Sequence, residues 1–189
     1  MLFAHDTEVA LAGAAALVNT RPDRPGGGEE LPDADALDVF VRTWRWTGSR
    51  ADGEAGRAAE LAAVQALRPR LLALWRSGTD DAVVIVNELL AEARALPQLV
   101  RHDQWDYHLH ATEPSSPLAE RMAVEAAMAF VDVIRMGELD RLRLCAADDC
   151  EDVLVDLSKN SSRRFCDRGC GNRATVAAYR ARRRDRLGG

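Results

Sequence analysis

All four cysteines of this 189-residue chain fall between positions 145 and 170, spaced C-x4-C, then fifteen residues, then C-x3-C. Two close pairs at that separation are a strong metal signal. Zinc takes four tetrahedral ligands, and thiolates supply them when one pair sits on a tight turn and the other at a helix start. A small secreted disulfide scaffold would scatter its cysteines through the whole fold, so a metal and a reducing compartment fit better. Cys145, Cys150, Cys166 and Cys170 are therefore the expected ligands of one structural zinc ion. No coordination position is left open and no general base stands among the ligands. A catalytic zinc or a redox dithiol is a lesser alternative, and an iron–sulfur cluster stands further behind.

Between the pairs, Val153 and Val155 alternate as a short strand, with Leu157 in continuation, SKNSS supplies a turn, and Arg163 to Phe165 return toward Cys166. A hairpin between the pairs would thus bring them together. Beyond Cys170 the run ATVAAYRARRRDR reads as a helix whose positive N-terminal end faces the thiolates and helps keep them deprotonated. Arg173, Arg180 and Arg184 share one face of that helix, while Val176 and Tyr179 lie on the other and are expected to pack on the ribbon. Asn172 and Arg173 could reach base edges, but a turn beside a metal also needs side chains that satisfy sulfurs and loop carbonyls. That structural role is the expectation for Asn172.

The remainder reads as helices. Residues 7–18 form the first, followed by RPDRPGGGEELPD, a loop whose three prolines and three glycines favour mobility. Asp33 caps a second helix over 34–46, with Leu37, Phe40, Val41 and Trp44 as its buried stripe. A third runs from about Arg57 to Trp75, with a kink expected at Pro69. A fourth starts at Thr79 or Asp80 and runs through Leu96, and a fifth follows Ser116 and ends at Gly137. Around DQWD, Leu99, Tyr107, Leu109 and Ala111 alternate as a hairpin requires. The fold class is thus mainly α with a small β-hairpin: a helical domain over 1–140, and 141–189 as a metal module ending in a basic helix. Length suits one ordinary domain plus an appendage.

Charge divides at the same place. From Arg141 onward there are 12 basic and 7 acidic residues, against 13 and 23 before it, so a basic module is joined to an acidic body. Polyanions should be repelled by the second and drawn to the first. Arg163, Arg164, Arg168 and Arg173 surround the metal, and Arg180, Arg182, Arg183 and Arg184 line the helix, an arrangement suited to phosphate contact. The bland alternative is that arginines late in a helix complement its dipole and solubilise its end.

The stretch Asp156 to Cys166 fits D-x-S-[RK]-N-x-x-R-R-[WF]-C, and CGNR follows at Cys170, Gly171, Asn172 and Arg173. Together they resemble the CGNR zinc finger. Phe165 stands where Trp is usual, Lys159 where Arg is commoner, and Thr175 where Lys is frequent. LVNTRP near the start and the helical run before the hairpin are similar to the ABATE domain, a region of proposed stress-induced transcription regulators. The resemblance implies a treble-clef-like zinc ribbon, a mostly helical N-terminal domain and double-stranded DNA as partner.

Other candidates are weaker. His108 and His110 lie on one side of a strand, with His102 across the hairpin, and could hold a second metal, though a solvated strand face is commoner. Trp44, Trp46, Trp75 and Trp105 could line a pocket for a small effector, but tryptophans at helical spacing are more often core. Asp148 and Asp149 belong to a solvated loop. No phosphate-binding glycine loop, HExxH or nucleophile elbow is present, so an enzyme is not expected. No apolar run approaches the ~20 residues of a membrane span, and the early Asp6 and Glu8 do not suit a signal peptide, so the chain is expected in the cytoplasm. Usable DNA specificity would call for a homodimer. Docking of the ribbon on a protein partner and RNA binding stay open as alternatives.

Overall fold

Ala- and Leu-rich segments with apolar residues three and four apart close into helices because each can bury one stripe. A computed structural model describes residues 2–101 and 107–187, side chains at 181 and 185–187 excepted. Its helices are α1 (His5–Val18), α2 (Ala34–Thr43), α3 (Gly53–Arg76), α4 (Thr79–Glu92), α5 (Leu118–Arg135) and α6 (Cys170–Leu187). Two antiparallel hairpins accompany them: β1 (Gln98–Val100) with β2 (His108–His110), and β3 (Leu142–Leu144) with β4 (Val153–Val155). No described helix is long and apolar enough to cross a membrane.

Helix α5 is the core element, packed against α1, α3 and α4. Its Phe130 is fully buried and meets Trp75 of α3 edge to face, ring centroids 5.2 Å apart. Asp33 caps α2 as expected, its Oδ1 accepting from the Ala36 N–H at 2.8 Å, and Gly137 follows α5 in the left-handed region (φ 69°). Helix α3 passes through Pro69, which has no N–H for the Gln65 carbonyl four residues earlier. The guanidinium of Arg68 donates there instead, at 3.2 Å.

Several expectations need correction. Helix α4 stops at Glu92, short of Leu96, because Arg94 turns left-handed (φ 48°) and Ala95 N–H closes back onto the Leu90 carbonyl. The proline- and glycine-rich loop after α1 is anchored on both sides of its exposed glycine tip, residues 26–28. Thr20, Arg21, Arg24 and Leu31 are buried within it. Arg68 of α3 takes Glu29 bidentately at 2.6 and 2.8 Å, and Arg24 pairs with Asp152, both side chains almost wholly buried, at 2.8 Å. The first hairpin forms as expected, with Leu99 opposite Leu109, but it turns those leucines to solvent and keeps His108 and His110 half-buried. His102 and Trp105 lie outside the described residues.

The second hairpin is set into the body. Leu142, Val153 and Val155 belong to the main core, while Leu154 between them faces the cysteine cluster. Trp75 Nε1 donates to the Leu154 carbonyl at 3.0 Å. Asn19, at the end of α1, pairs its amide with both the carbonyl and the N–H of Val153, each at 2.8 Å, so one side chain acts as a strand neighbour for β4. Replacing Asn19 by Ala leaves two backbone groups without partners and should lower stability by about 2 kcal/mol. Urea denaturation measures this, and an unshifted midpoint would show that the pairing adds nothing.

Candidate metal centre and basic helix

The first cysteine pair sits on the turn of the second hairpin. Strand β3 leads into Cys145, the loop CAADDC carries Cys150, and β4 leaves it. The partner of β4 is therefore Leu142–Leu144, upstream of the cysteines, and residues 163–165 are not a strand. This corrects the hairpin expected between the pairs. The reason is hydrogen bonding: the returning segment is held by Arg143, which donates to the carbonyls of Arg163 and Ser161 at 3.0 and 3.1 Å, and by one backbone bond from Ala146 N–H to the Arg164 carbonyl.

Helix α6 begins at Cys170, so its positive end faces the sulfurs. The four Sγ atoms lie within 4.8 Å of one another; Cys150 to Cys166 is 3.8 Å and Cys166 to Cys170 is 3.5 Å. These spacings far exceed the ~2.05 Å of a disulfide. They match the edge of about 3.8 Å that a tetrahedron with zinc–sulfur bonds of ~2.3 Å requires. The cluster holds one structural zinc. Cys166 N–H donates to Cys145 Sγ at 3.4 Å. Burial raises the Cys145 thiol pKa, but bonds from the Cys166 and Ala147 N–H groups outweigh it and bring it below the usual range. Burial pushes Cys150 up to about 11 and Cys166 higher still.

Asp156 organises the loop between the pairs. Fully buried, it accepts from Ser158 N–H and Oγ (2.9 and 2.5 Å) and from Arg163 N–H (2.8 Å), and it faces Arg143 at 3.0 Å. Burial alone would raise its pKa; these partners outweigh it and hold the carboxyl below the usual range. A depressed folded pKa means the stabilisation is complete above the ordinary Asp value and is lost as pH falls through the folded one. Asp156→Ala should cost about 3 kcal/mol at neutral pH. It should also weaken the loss of stability on acidification, and melting curves from pH 3 to 7 test both effects.

The arginines expected around the metal are largely committed. Arg163 pairs with Asp167 at 2.7 Å, and Arg164 lies over the Phe165 ring, 5.9 Å from its centroid. Arg168 joins Glu30 of the body and Asp152 of the finger, at 3.3 Å for the latter. Arg173 donates to Cys170 Sγ at 3.0 Å and to the Arg168 carbonyl at 3.2 Å, and reaches Asp149 at 3.6 Å. It thus takes the sulfur-supporting role expected of Asn172, whose exposed side chain makes no hydrogen bond among the described residues.

Along the rest of α6, Arg180, Arg182, Arg183 and Arg184 are exposed and make no ion pair among the described residues. Val176 and Tyr179, expected against the ribbon, are 47% and 59% exposed. The ribbon is too short to cover them: Phe165 reaches Gly171, and beyond the first turn the helix stands in solvent. Sequence reasoning missed the buried charges Arg21, Arg24, Arg68, Arg121, Arg141 and Asp152. Arg24 and Arg68 meet Asp152 and Glu29 from far away in the chain. Although Arg21 and Arg141 also have near neighbours in Asp23 and Glu138, their burial depends on the packing of distant elements, for which a local window carries no signal.

Comparison with known families agrees with this geometry. The CGNR zinc finger model matches residues 141–183. The ABATE model, described as "Putative stress-induced transcription regulator", matches residues 12–137. No curated protein shows significant similarity to the chain. A match over more than half the sequence settles the family: the chain belongs to the ABATE family, and its helical region is followed by a CGNR zinc finger built on four cysteines.

Proposed function

We propose that the protein is a cytoplasmic, DNA-binding transcription regulator without catalytic activity. Residues 1–140 act as a body that senses a small effector or dimerises, and residues 141–189 contact double-stranded DNA. The observation that carries this reading is the run of exposed guanidinium groups at Arg180, Arg182, Arg183 and Arg184, which make no ion pair among the described residues, on a helix held at its base by the zinc cluster. Exposed guanidiniums exchange water and counterions for phosphates at little cost. Those near the metal would first have to leave Asp167, Glu30, Asp152 or Asp149. Arg163, Arg168 and Arg173 are therefore secondary contacts in this reading, and Arg164, exposed over the Phe165 ring, can add one more. One helix offers few base contacts, so specificity requires two copies on paired half-sites.

Val176 and Tyr179, exposed on the same helix, favour a second reading in which α6 docks on a protein. Titration of the zinc-loaded protein with duplex DNA across a salt series separates the two. Four phosphate contacts predict a log–log slope of about −3.6 per chain. Absence of salt-dependent DNA binding would remove the first reading and favour the second.

A further inference from the structure

A cavity of about 390 Å³ lies between α1, α5, the Trp44–Thr47 segment and the β1–β2 hairpin. Its walls are mostly apolar, Leu90 and Met128 among them, and the Trp44 and Trp46 indoles line it. Gly13 of α1 faces both rings: a Cβ there would stand 3.4 Å from Trp46 and 3.8 Å from Trp44, in ordinary contact. The Trp46 indole N–H is buried with no acceptor among the described residues, so a ligand contributes through the ring face and not through this donor unless it also carries an oxygen.

The charges in this cavity are sorted by depth. Asp6, Glu125 and Asp132 are half-buried in its wall, whereas Arg45 and Arg135 are exposed at its edge. Thr7 Oγ1 donates to Asp132 at 2.7 Å. Glu125 has no hydrogen-bond or ion-pair partner among the described residues, although it sits on the most buried helix of the fold. Burial pushes its carboxyl up to about 7, against the pull of Arg121 one turn earlier. Other titratable groups lining the cavity are Asp6, Asp132, His108 and His110. A carboxyl with no partner among the described residues, set in a mostly apolar wall, gains countercharge from a cation bound beside it.

We propose that this cavity binds a small organic cation with an apolar body, an amine or a quaternary ammonium, held by the indoles of Trp44 and Trp46 and the carboxylates of Asp6, Glu125 and Asp132. Indole rings attract cations electrostatically while covering the apolar part, and the acids supply the countercharge. The His108–His110 pair, with Nε2 atoms 2.9 Å apart, is not a metal site on this reading: among the described residues only the cysteines gather three or more metal-ligating groups. The proposal deepens the sensing role assigned to the body by naming the chemical class of the signal.

Calorimetric titration of the zinc-loaded full chain with benzyltrimethylammonium, benzyl alcohol and benzoate tests it. The cation should bind once per chain, at least about tenfold tighter than the neutral alcohol, with benzoate weaker still. Glu125→Gln should reduce the cation's affinity about tenfold. That variant should melt no lower than the natural chain, because a carboxyl whose folded pKa is raised loses its stabilising contribution as pH rises through 7. Asp6→Asn, at the start of α1, provides a second reduction. Equal binding of alcohol and cation, tighter binding of benzoate, no saturation by about 10 mM cation, or unchanged affinity in both variants would overturn the assignment. The DNA titration is independent of it. A chain that binds the cation and not DNA keeps this site and loses the regulator, and one that binds DNA and not the cation loses this site alone.

Discussion

Stripping the zinc, or replacing Cys166 by Ser, should destabilise the whole chain and not merely fray the finger. The finger's own core is seven residues: Cys145, Leu154, Cys166 and Cys170, with Ala147, Cys150 and Phe165 against them. Such a cluster cannot repay the entropy of ordering some forty residues, so the metal must supply the difference. Structural zinc sites contribute on the order of 10 kcal/mol of apparent folding free energy. Strand β4, however, belongs to both cores, with Val153 and Val155 facing the body and Leu154 facing the cysteines. Loss of the metal loosens the turn that joins β3 to β4 and so weakens the contacts with Asn19 and Trp75. We expect a loss of about 5 kcal/mol or more, seen as a melting temperature at least ~10 °C lower after chelation. Calorimetry with and without chelator, alongside measured zinc content, checks this. A chelated chain that melts with the holo-protein would mean that the hairpin is held by the body alone.

Changing Arg180, Arg182, Arg183 and Arg184 together to Ala should weaken DNA binding by about 100- to 1,000-fold near 0.15 M salt and flatten the salt slope by about 3 to 4. Stability should hardly change, because none of these four side chains makes an ion pair among the described residues and Ala is the better helix former. Arg173→Ala is the contrasting variant. It removes a donor to Cys170 Sγ and the pair with Asp149, so it should weaken zinc retention more than it alters the slope. The opposite pattern, with the slope carried by Arg173 and Arg168 and untouched by the quadruple change, would place the DNA surface on the ribbon and leave the helix as a solvated extension.

The same contrast shows how far local pattern reaches. The helix stripes, the Asp33 cap, the left-handed Gly137 and the first hairpin were all readable, because each depends on residues only a few positions apart. So was the four-cysteine site, since metal ligand spacing is itself a local constraint. The expected return of residues 163–165 failed because β4 could pair on either side, and the donors of Arg143 and the buried carboxylate of Asp156 decided the matter. Val176 and Tyr179 failed for a different reason: helical periodicity says which residues share a face, not whether anything is there to cover it.

By itself, the sequence determined a helical body, a hairpin, a closed metal site and a basic helix. Only the tertiary structure decided what the charges are for. Arg24 meets Asp152 from 128 positions away, Arg168 meets Glu30, and Asn19 completes a strand 134 positions on. It likewise drew Trp44, Trp46 and Glu125 around one cavity. Secondary structure follows from neighbours along the chain, whereas a buried charge is tolerable only where a distant partner neutralises it, and that pairing exists only once the chain has folded.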